Sequence, residues 1–357
     1  MQTKHYDIAI IGAGPAGSTF ARLVAGKYRV LLIDPKTASP SSFSKPCGGL
    51  LSEDAQKALS KFDLTLPKDI LVDPQIFAVK TIDLRTKLIR HYQRFYINLD
   101  RHKFDLWLMS LIPASVDRLL GKVRSITKEN NGYRLYCDGE SLTADYLVGA
   151  DGANSLVRRT FFAGHQPRYY VAIQQWFKET HPNPFYSCIF DPATSDCCSW
   201  SISKDNYFIF GGAFAPNGCR TQFERQKQAL AQLGFCFGTP DKTEACMVLR
   251  PQSMADFCCG KGRVLLIGEA AGFISPSSLE GFSFAINSAA LLAECFAGGV
   301  EQIAQRYHHK TLMLRLKLQG KLWKCPFMYQ PALRSLVMKS GLKSIRMYDS
   351  EANNNLK

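Results

Sequence analysis

The segment from Tyr6 to Asp34 constrains this chain most, because an apolar strand runs directly into a glycine-rich turn and a helix. The turn has the form Gly12-x-Gly14-x-x-Gly17, and a second strand ends on Asp34. Gly12 permits a tight turn, Gly14 lets the backbone approach a pyrophosphate, and Gly17 allows close helix packing. The Asp34 carboxylate is spaced to accept hydrogen bonds from a ribose diol. The segment predicts a dinucleotide site formed by Gly12, Ala13, Gly14, Pro15, Ala16, Gly17 and Asp34.

Size and composition indicate a globular protein. The chain has 357 residues, which favours one large composite unit or two interleaved domains. Hydrophobic residues make up 46% and charged residues 21%, and no apolar run is long enough to span a bilayer, so we expect a cytoplasmic protein. The twelve cysteines include no CxxC motif, and two pairs are immediate neighbours. We therefore expect reduced thiols and no metal site.

The net charge of +14 is concentrated at the C-terminus. Residues 301–357 carry eleven basic and three acidic residues, a net charge of +8. Between 306 and 346, Leu, Met, Trp and Phe are interspersed with Lys and Arg, a composition suited to an anionic membrane surface. Two surface helices packed on the core by their apolar faces would also explain it, and the two interpretations are compatible. Nucleic acid is not an expected partner, because no nucleic-acid motif accompanies the charge.

Two later segments repeat the strand-to-turn pattern. At 145–159, an apolar strand reaches Asp151 between two small turn residues, and its carboxylate is placed to cap the following helix or to hold a nearby Arg. At 263–296, a strand ends on Gly268-Glu269, where a carboxylate would meet polyol hydroxyls. The helix after Gly281 would point its positive end at an electron-rich ring.

These three motifs, in this order, resemble those of FAD-dependent oxidoreductases of the p-hydroxybenzoate hydroxylase fold. The resemblance implies that the first motif binds the ADP part of FAD, with Asp34 on its ribose. It implies that the third motif binds the ribityl and pyrophosphate groups, although the family usually has Asp where this chain has Glu269. Two further contacts are implied: Arg101 in the RxxFDxWL segment would neutralise an FAD phosphate, and Val123 would lie on the adenine.

Finer matches resemble the geranylgeranyl reductase branch of that superfamily. The segment from Ser44 to Leu50 is similar to its PxxCGG-type segment beside the flavin, which would place Cys47, Gly48 and Gly49 there. The segment CSWSISKDNYFIFGGA is similar to its YxWxFP...GxG signature and keeps Trp200. Three residues depart from that signature: Cys198, Ile202 and Ser203. Over nearly its whole length the chain looks closest to the CbrA family.

The predicted fold class is α/β, a Rossmann-like FAD-binding domain interleaved with an antiparallel β-sheet substrate domain and followed by a helical C-terminal tail. The alternation of aromatic and polar residues in the middle of the chain favours the antiparallel sheet. The FAD-binding parts are predicted at 1–70, 99–164 and 256–300. The substrate-domain parts are predicted at 71–98 and 165–255, and the basic helical region at 301–357.

No side-chain nucleophile arrangement is readable, so a bound flavin would carry the chemistry. The favoured hypothesis is an FAD-dependent reductase that takes hydride transiently from NADPH or NADH and reduces C=C bonds of an apolar or polyprenyl lipid. Cys47 would donate the proton or shape the pocket, with a buried inert thiol as the alternative, and Trp200 would line the substrate pocket. The protein would then be cytoplasmic or peripheral on the inner face of the cytoplasmic membrane. An FAD-dependent monooxygenase and a non-catalytic flavin-binding envelope or stress protein are the alternatives.

Overall fold

The computed structural model describes residues 4–37, 39, 45–178 and 185–348. Ser44, the first residue of the predicted flavin-side segment, lies outside them. The strands are β1 (His5–Ile11), β2 (Val30–Asp34), β3 (Leu50–Leu51), β4 (Ile76–Asp83), β5 (Leu88–Asn98), β6 (Asp117–Leu120), β7 (Val123–Glu129), β8 (Gly132–Cys137), β9 (Glu140–Gly149), β10 (Tyr169–Lys178), β11 (Tyr186–Phe190), β12 (Cys198–Lys204), β13 (Tyr207–Phe214), β14 (Lys242–Leu249), β15 (Gly260–Lys261) and β16 (Val264–Leu266). The helices are α1 (Pro15–Val24), α2 (Glu53–Ser60), α3 (Arg101–Ser110), α4 (Leu156–Phe161), α5 (Cys219–Ala231), α6 (Phe282–Ala297), α7 (Ile303–Lys310), α8 (Leu312–Tyr329) and α9 (Pro331–Ser340), with short 3₁₀ turns at Lys68–Ile70, Met254–Asp256 and Gly268–Ala271.

The first sheet has the order β15-β16-β9-β1-β2-β6, and the β7–β8 hairpin pairs with β9. Strands β16, β9, β1, β2 and β6 are mutually parallel. The carboxyl ends of parallel strands meet at one sheet edge, which is where ligands bind in open α/β sheets. The turns after β1, β2, β9 and β16 therefore bring all three sequence motifs to the same edge.

Helix α1 follows β1 directly and begins with Pro15, whose fixed φ suits the first helical position. Its buried face packs on α6, a mostly apolar helix. The core between these helices and the first sheet contains Ile8, Ile10 and Phe20, all fully buried. Burial of this apolar face fixes α1, and with it the glycine-rich turn, against the sheet edge.

The second sheet has the order β14-β10-β13-β12-β11-β4-β5-β3. Its pairs are antiparallel except for β11 with β4. One face packs on α5 around Phe210 and Phe223, and the other carries Trp200 towards the first sheet. Strands of the two sheets alternate along the chain, and the exact segment bounds stay a prediction.

The tail folds as three helices, α7 to α9. Buried Leu318 and Met338 hold α8 and α9 to the body, and α9 packs on β5. The Arg334 guanidinium donates from Nε to Asp83 Oδ2 at 2.9 Å, with both side chains almost fully buried. Within the described residues, no helix is both long and apolar enough to cross a membrane. The predicted fold class, including the helical tail, is confirmed.

Candidate functional site

A cavity of about 1230 Å³ lies between the two sheets. Ordinary ligand pockets measure roughly 300–1,000 Å³, so this cavity has room for a large ligand. Most predicted site residues line it: Gly12, Gly14, Pro15, Ala16, Asp34, Cys47, Gly48, Gly49, Arg101, Val123, Asp151, Trp200, Glu269 and Gly281. Ala13, Gly17 and Gly268 lie behind the wall. The structure thus brings together residues spread over most of the chain.

The glycine-rich turn has the close contacts that its glycines predict. Gly12 has φ of 101°, and a Cβ there would lie 2.5 Å from the Ala150 oxygen. A Cβ on Gly17 would lie 1.8 Å from the Gly12 oxygen, so Gly17 lets α1 sit on the turn. Around Gly14, in contrast, a Cβ would meet no protein atom within 4 Å. Gly14 therefore leaves a cradle at the N-terminus of α1, as a bound pyrophosphate requires.

Asp34 is held in place by the turn it faces. Its Oδ2 accepts from the Ala13 N–H at 2.6 Å, and its Oδ1 accepts from the Lys36 N–H at 2.7 Å. Ala13 thus acts through its backbone. An ionised carboxylate has about four lone-pair sites, so acceptor capacity remains on the cavity side for hydroxyl groups. The role of Asp34 on a ribose stays a prediction.

Asp151 caps a helix, one of the two roles expected for it. Its Oδ2 accepts from the backbone N–H groups of Leu156 and Val157 at 2.6 and 3.3 Å. Arg158 instead donates to the Ala270 carbonyl at 2.8 Å. Burial raises the pKa of Asp151, and its Oδ1 is buried with no hydrogen-bond partner in the described part of the chain.

Glu269 makes an ion pair that the sequence did not reveal. It pairs with the Lys45 ammonium, and its Oε1 accepts from the Leu249 N–H at 2.9 Å. Burial disfavours the Lys45 charge, but the adjacent carboxylate outweighs it and raises the Lys45 pKa. The extra methylene of Glu, relative to Asp, extends the carboxylate towards the second sheet. Its contact with ribityl hydroxyls stays a prediction.

Arg101 belongs to a buried charge cluster. Its Nε donates to Asp105 Oδ1 at 3.0 Å, while Lys36 Nζ donates to Asp105 Oδ2 at 2.7 Å. Burial works against the Asp105 carboxylate, but Arg101 and Lys36 outweigh it and lower its pKa. Two cations share one carboxylate, which leaves a positive charge at the cavity wall, as a phosphate group would require. The four-residue spacing from Arg101 to Asp105 on a helix could have predicted that pair.

The segment around Cys47 lies against the second sheet. The Gly49 N–H points to Cys47 Sγ at 3.4 Å, and Gly49 has φ of 59°. A Cβ on Gly48 would lie 4.0 Å from the Trp200 ring, so Trp200 faces this segment. The ring donates from Nε1 to Gln174 at 3.2 Å and is 8% exposed. The two features assigned to the substrate end are therefore neighbours.

The buried side chain of Lys204 packs against the Cys47–Gly49 segment. It is 5% exposed, and its Nζ donates to Asn98 Oδ1 at 2.6 Å and to the Leu99 carbonyl at 2.7 Å. A Cβ on Gly49 would lie 2.4 Å from the Leu99 carbonyl oxygen and 2.8 Å from the same nitrogen, so the backbone contact and the positive φ together require glycine. Burial lowers the Lys204 pKa to about 8. Nothing in the sequence alone distinguished this lysine from a surface one.

The third motif contacts helices α1 and α6, and a carboxylate next to it caps α6. Gly268 has φ of 59°, its N–H donates to Ser288 Oγ at 2.9 Å, and a Cβ there would approach Ala16 to 2.9 Å. Gly281 lines the cavity at the start of α6. The Glu280 carboxylate accepts from the Ser283 N–H at 2.7 Å, and burial raises its pKa. A carboxylate therefore already caps the helix end that we expected to face a ring.

Comparison with known proteins agrees with this geometry. An FAD binding domain family model matches residues 122–312. Protein CbrA of Escherichia coli O157:H7 is 52% identical over 348 residues, which cover 96% of this chain and 98% of the relative. This chain belongs to the CbrA family. It falls in the class of FAD-dependent oxidoreductases, and the predicted FAD cofactor and family resemblance agree with these matches.

Solved structures show how widely the fold of this CbrA family member is shared. A geranylgeranyl bacteriochlorophyll reductase-like protein of Thermoplasma acidophilum superimposes with a TM-score of 0.78 at 19% identity, covering 98% of this chain and 95% of that protein. PqsL of Pseudomonas aeruginosa, described as a probable FAD-dependent monooxygenase, gives 0.69 at 14% identity, covering 94% and 100%. An HpxO variant of Klebsiella pneumoniae complexed with FAD gives 0.65 at 15% identity, covering 94% of each chain. The likeness extends to reductase-like and monooxygenase structures, so it establishes the fold and leaves the reaction open.

Proposed function

We propose that this CbrA family protein is an FAD-dependent reductase that uses NADPH or NADH to reduce a C=C bond in an apolar substrate. Bound FAD would supply the hydride chemistry. The glycine-rich turn, Asp34 and the Arg101 cluster would hold its dinucleotide part. The Cys47–Gly49 segment would lie where the reacting part of the substrate is positioned.

The observation that carries this proposal is the apolar wall around that segment. Trp200 faces Gly48, and the surrounding lining is mainly apolar: Ala172, Tyr186, Val248, Ile274 and Leu279. A mostly apolar lining with few polar groups suits a hydrocarbon substrate.

Reduction of a C=C bond also needs a proton donor at the carbon that does not receive hydride. Two candidates in the lining are the Cys47 thiol and the Tyr186 phenol. Burial raises the Tyr186 pKa well above its ordinary value, so this phenol is protonated at neutral pH, as an ordinary tyrosine is, but is a weaker acid than one in water.

The test is an anaerobic titration of the purified holoprotein, followed by the visible flavin spectrum. We expect NADPH or NADH to bleach the flavin band, and a polyprenyl alcohol to restore it with a product that has gained two hydrogen atoms. Restoration only by oxygen, with no reduced product from any apolar alkene offered, would contradict the reductase.

Two variants separate the donors. Cys47→Ser and Tyr186→Phe should both retain FAD, and the one that removes the donor should lose product formation while bleaching by NAD(P)H is unchanged. Unchanged turnover in Cys47→Ser would make that thiol a packing residue.

A monooxygenase is the second candidate, because the same fold is found in PqsL. It would be recognised by oxygen-dependent NAD(P)H consumption that the substrate stimulates, together with a hydroxylated product. A protein that retains FAD but is reduced by neither nicotinamide would instead favour a non-catalytic flavin-binding role.

A further inference from the structure

Helix α8 carries an exposed apolar stripe, formed by Met313, Leu316, Trp323 and Phe327. Their spacing places all four on one side of the helix, since residues three, four and seven apart share a face. Met313 is 72% exposed and Trp323 is 71% exposed. Large apolar side chains grouped in this way on a protein surface mark an interaction site.

Lysines border this stripe. Lys317, Lys321 and Lys324 follow along one flank by helical spacing. Lys317 Nζ lies 2.8 Å and Lys321 Nζ 3.7 Å from the carboxylate of Asp54, so these two share one acid. Within the described residues, Lys324 forms no ion pair, and its side chain is exposed. The flank therefore carries uncompensated positive charge.

The charge of the surrounding chain has one sign. Residues 302–348 contain no Asp or Glu. A second copy of this chain placed stripe to stripe would bring unpaired lysines together, at a cost in electrostatic energy. The stripe and its lysines are complementary to a surface with negative charge outside and an apolar interior beneath it. An anionic lipid bilayer has both.

The stripe also borders an opening of the cavity. Lys321 and Lys324 are part of the cavity lining together with Arg94. Arg94 and Lys324 are exposed, so the cavity meets the surface here. Phe95, next to Arg94, is a further exposed aromatic side chain, on β5.

We propose that the α8 stripe and its flanking lysines dock on the surface of an anionic lipid bilayer, which holds the cavity opening against the lipid. Apolar side chains enter the headgroup region while the lysines contact lipid phosphates. The docking depends on the surface alone. Direct entry of a lipid substrate through the opening rests on the proposed function.

The test is cosedimentation of the full-length holoprotein with vesicles. Phosphatidylcholine vesicles with about one third phosphatidylglycerol should bind it, and pure phosphatidylcholine should bind it weakly, because lysines near an anionic surface each contribute about 1 kcal/mol. Lys324→Glu and Trp323→Ser should each weaken binding about tenfold. Arg225→Glu and Leu233→Ser, on or just after α5 on the opposite face of the second sheet, are the matched controls and should bind as the parent protein does.

Trp323 offers a direct readout of depth. Brominated acyl chains should quench the fluorescence of the parent protein, and Trp323→Phe should bind nearly as well but lose most of that quenching. Vesicle binding that neither Lys324→Glu nor Trp323→Ser weakens would overturn the proposal. So would self-association in sedimentation velocity that Trp323→Ser abolishes, because a second copy would then occupy the stripe. Neither readout needs turnover, so the docking and the reductase proposals fail separately.

Discussion

The glycine-rich turn and the C-terminal tail both border the cavity, but they are held there in different ways. The turn is positioned by backbone: a Cβ on Gly12 or Gly17 would collide with carbonyl groups. The tail is positioned by a few side chains, above all the ion pair of Arg334 with Asp83, which are 251 residues apart in sequence. The close backbone contacts of the turn exclude any side chain larger than that of glycine at these two positions, whereas the position of the tail depends on both partners of the ion pair being present.

The turn and the tail also differ in the groups that they present to a ligand. The turn presents N–H groups and acceptors of fixed geometry, which suits one cofactor. The tail presents lysines on long side chains and exposed apolar side chains, which suit a surface without fixed geometry. Changes in the turn should therefore act through cofactor binding, and changes in the tail through stability or attachment.

The largest expected effect comes from Gly14→Val. A Cβ at Gly14 meets no protein atom within 4 Å, so the fold should survive while the side chain fills the cradle. We expect purified Gly14→Val to retain no FAD and to show the far-UV circular dichroism of the apoprotein. The flavin-to-protein absorbance ratio measures this directly.

Gly17→Ala is the matched control for that variant. Its Cβ would lie 1.8 Å from the Gly12 oxygen, so here the protein itself should be destabilised and the melting temperature of the apoprotein should fall. If Gly14→Val copurified with a full complement of flavin, the dinucleotide role of the turn would be wrong.

The next largest effect tests the ion pair of Arg334 with Asp83. Arg334→Met keeps the volume but leaves the buried Asp83 without its cation, which should lower the free energy of unfolding by about 3–5 kcal/mol. Urea unfolding followed by circular dichroism measures the loss. Lys339→Met, an exposed change on the same helix, should stay within about 0.5 kcal/mol of the parent protein. Adding Asp83→Asn to Arg334→Met should recover part of the loss, and strict additivity of the two changes would show that the pair is not coupled.

The glycine-rich turn could be predicted from the sequence because the residues that form it are close together in the chain. The spacing of the glycines and Asp34 after apolar strands predicted the dinucleotide turn, and the FAD-binding fold followed from the family resemblance that the three motifs carry. The pairing of Lys45 with Glu269 spans 224 residues, and that of Arg334 with Asp83 is longer still, so only the tertiary structure could reveal them. Arg101 with Asp105 is the exception, since their spacing on α3 was readable.

The smallest expected effect on stability comes from Lys204. This side chain packs against the backbone of Gly49, in the Cys47–Gly49 segment that lies between the turn and the tail. Its pKa falls from 10.5 to about 8 on folding, so between these values the unfolded chain binds a proton that the folded chain has released. Stability linked to Lys204 therefore rises as the pH increases from about 8 to 10.5.

Hydrogen bonds from Lys204 Nζ to Asn98 and Leu99 favour the charged form and limit this rise, which we expect to be on the order of 1 kcal/mol. Other groups titrate in the same range, so the quantity to measure is the difference in unfolding free energy between the parent protein and Lys204→Met across these pH values. That difference should shift with pH in favour of the parent protein, while the exposed Lys178→Met should show a constant difference. A constant difference for Lys204→Met as well would mean that the ammonium stays charged under Gly49, and that the side chain supports the Cys47 segment as a permanent ion.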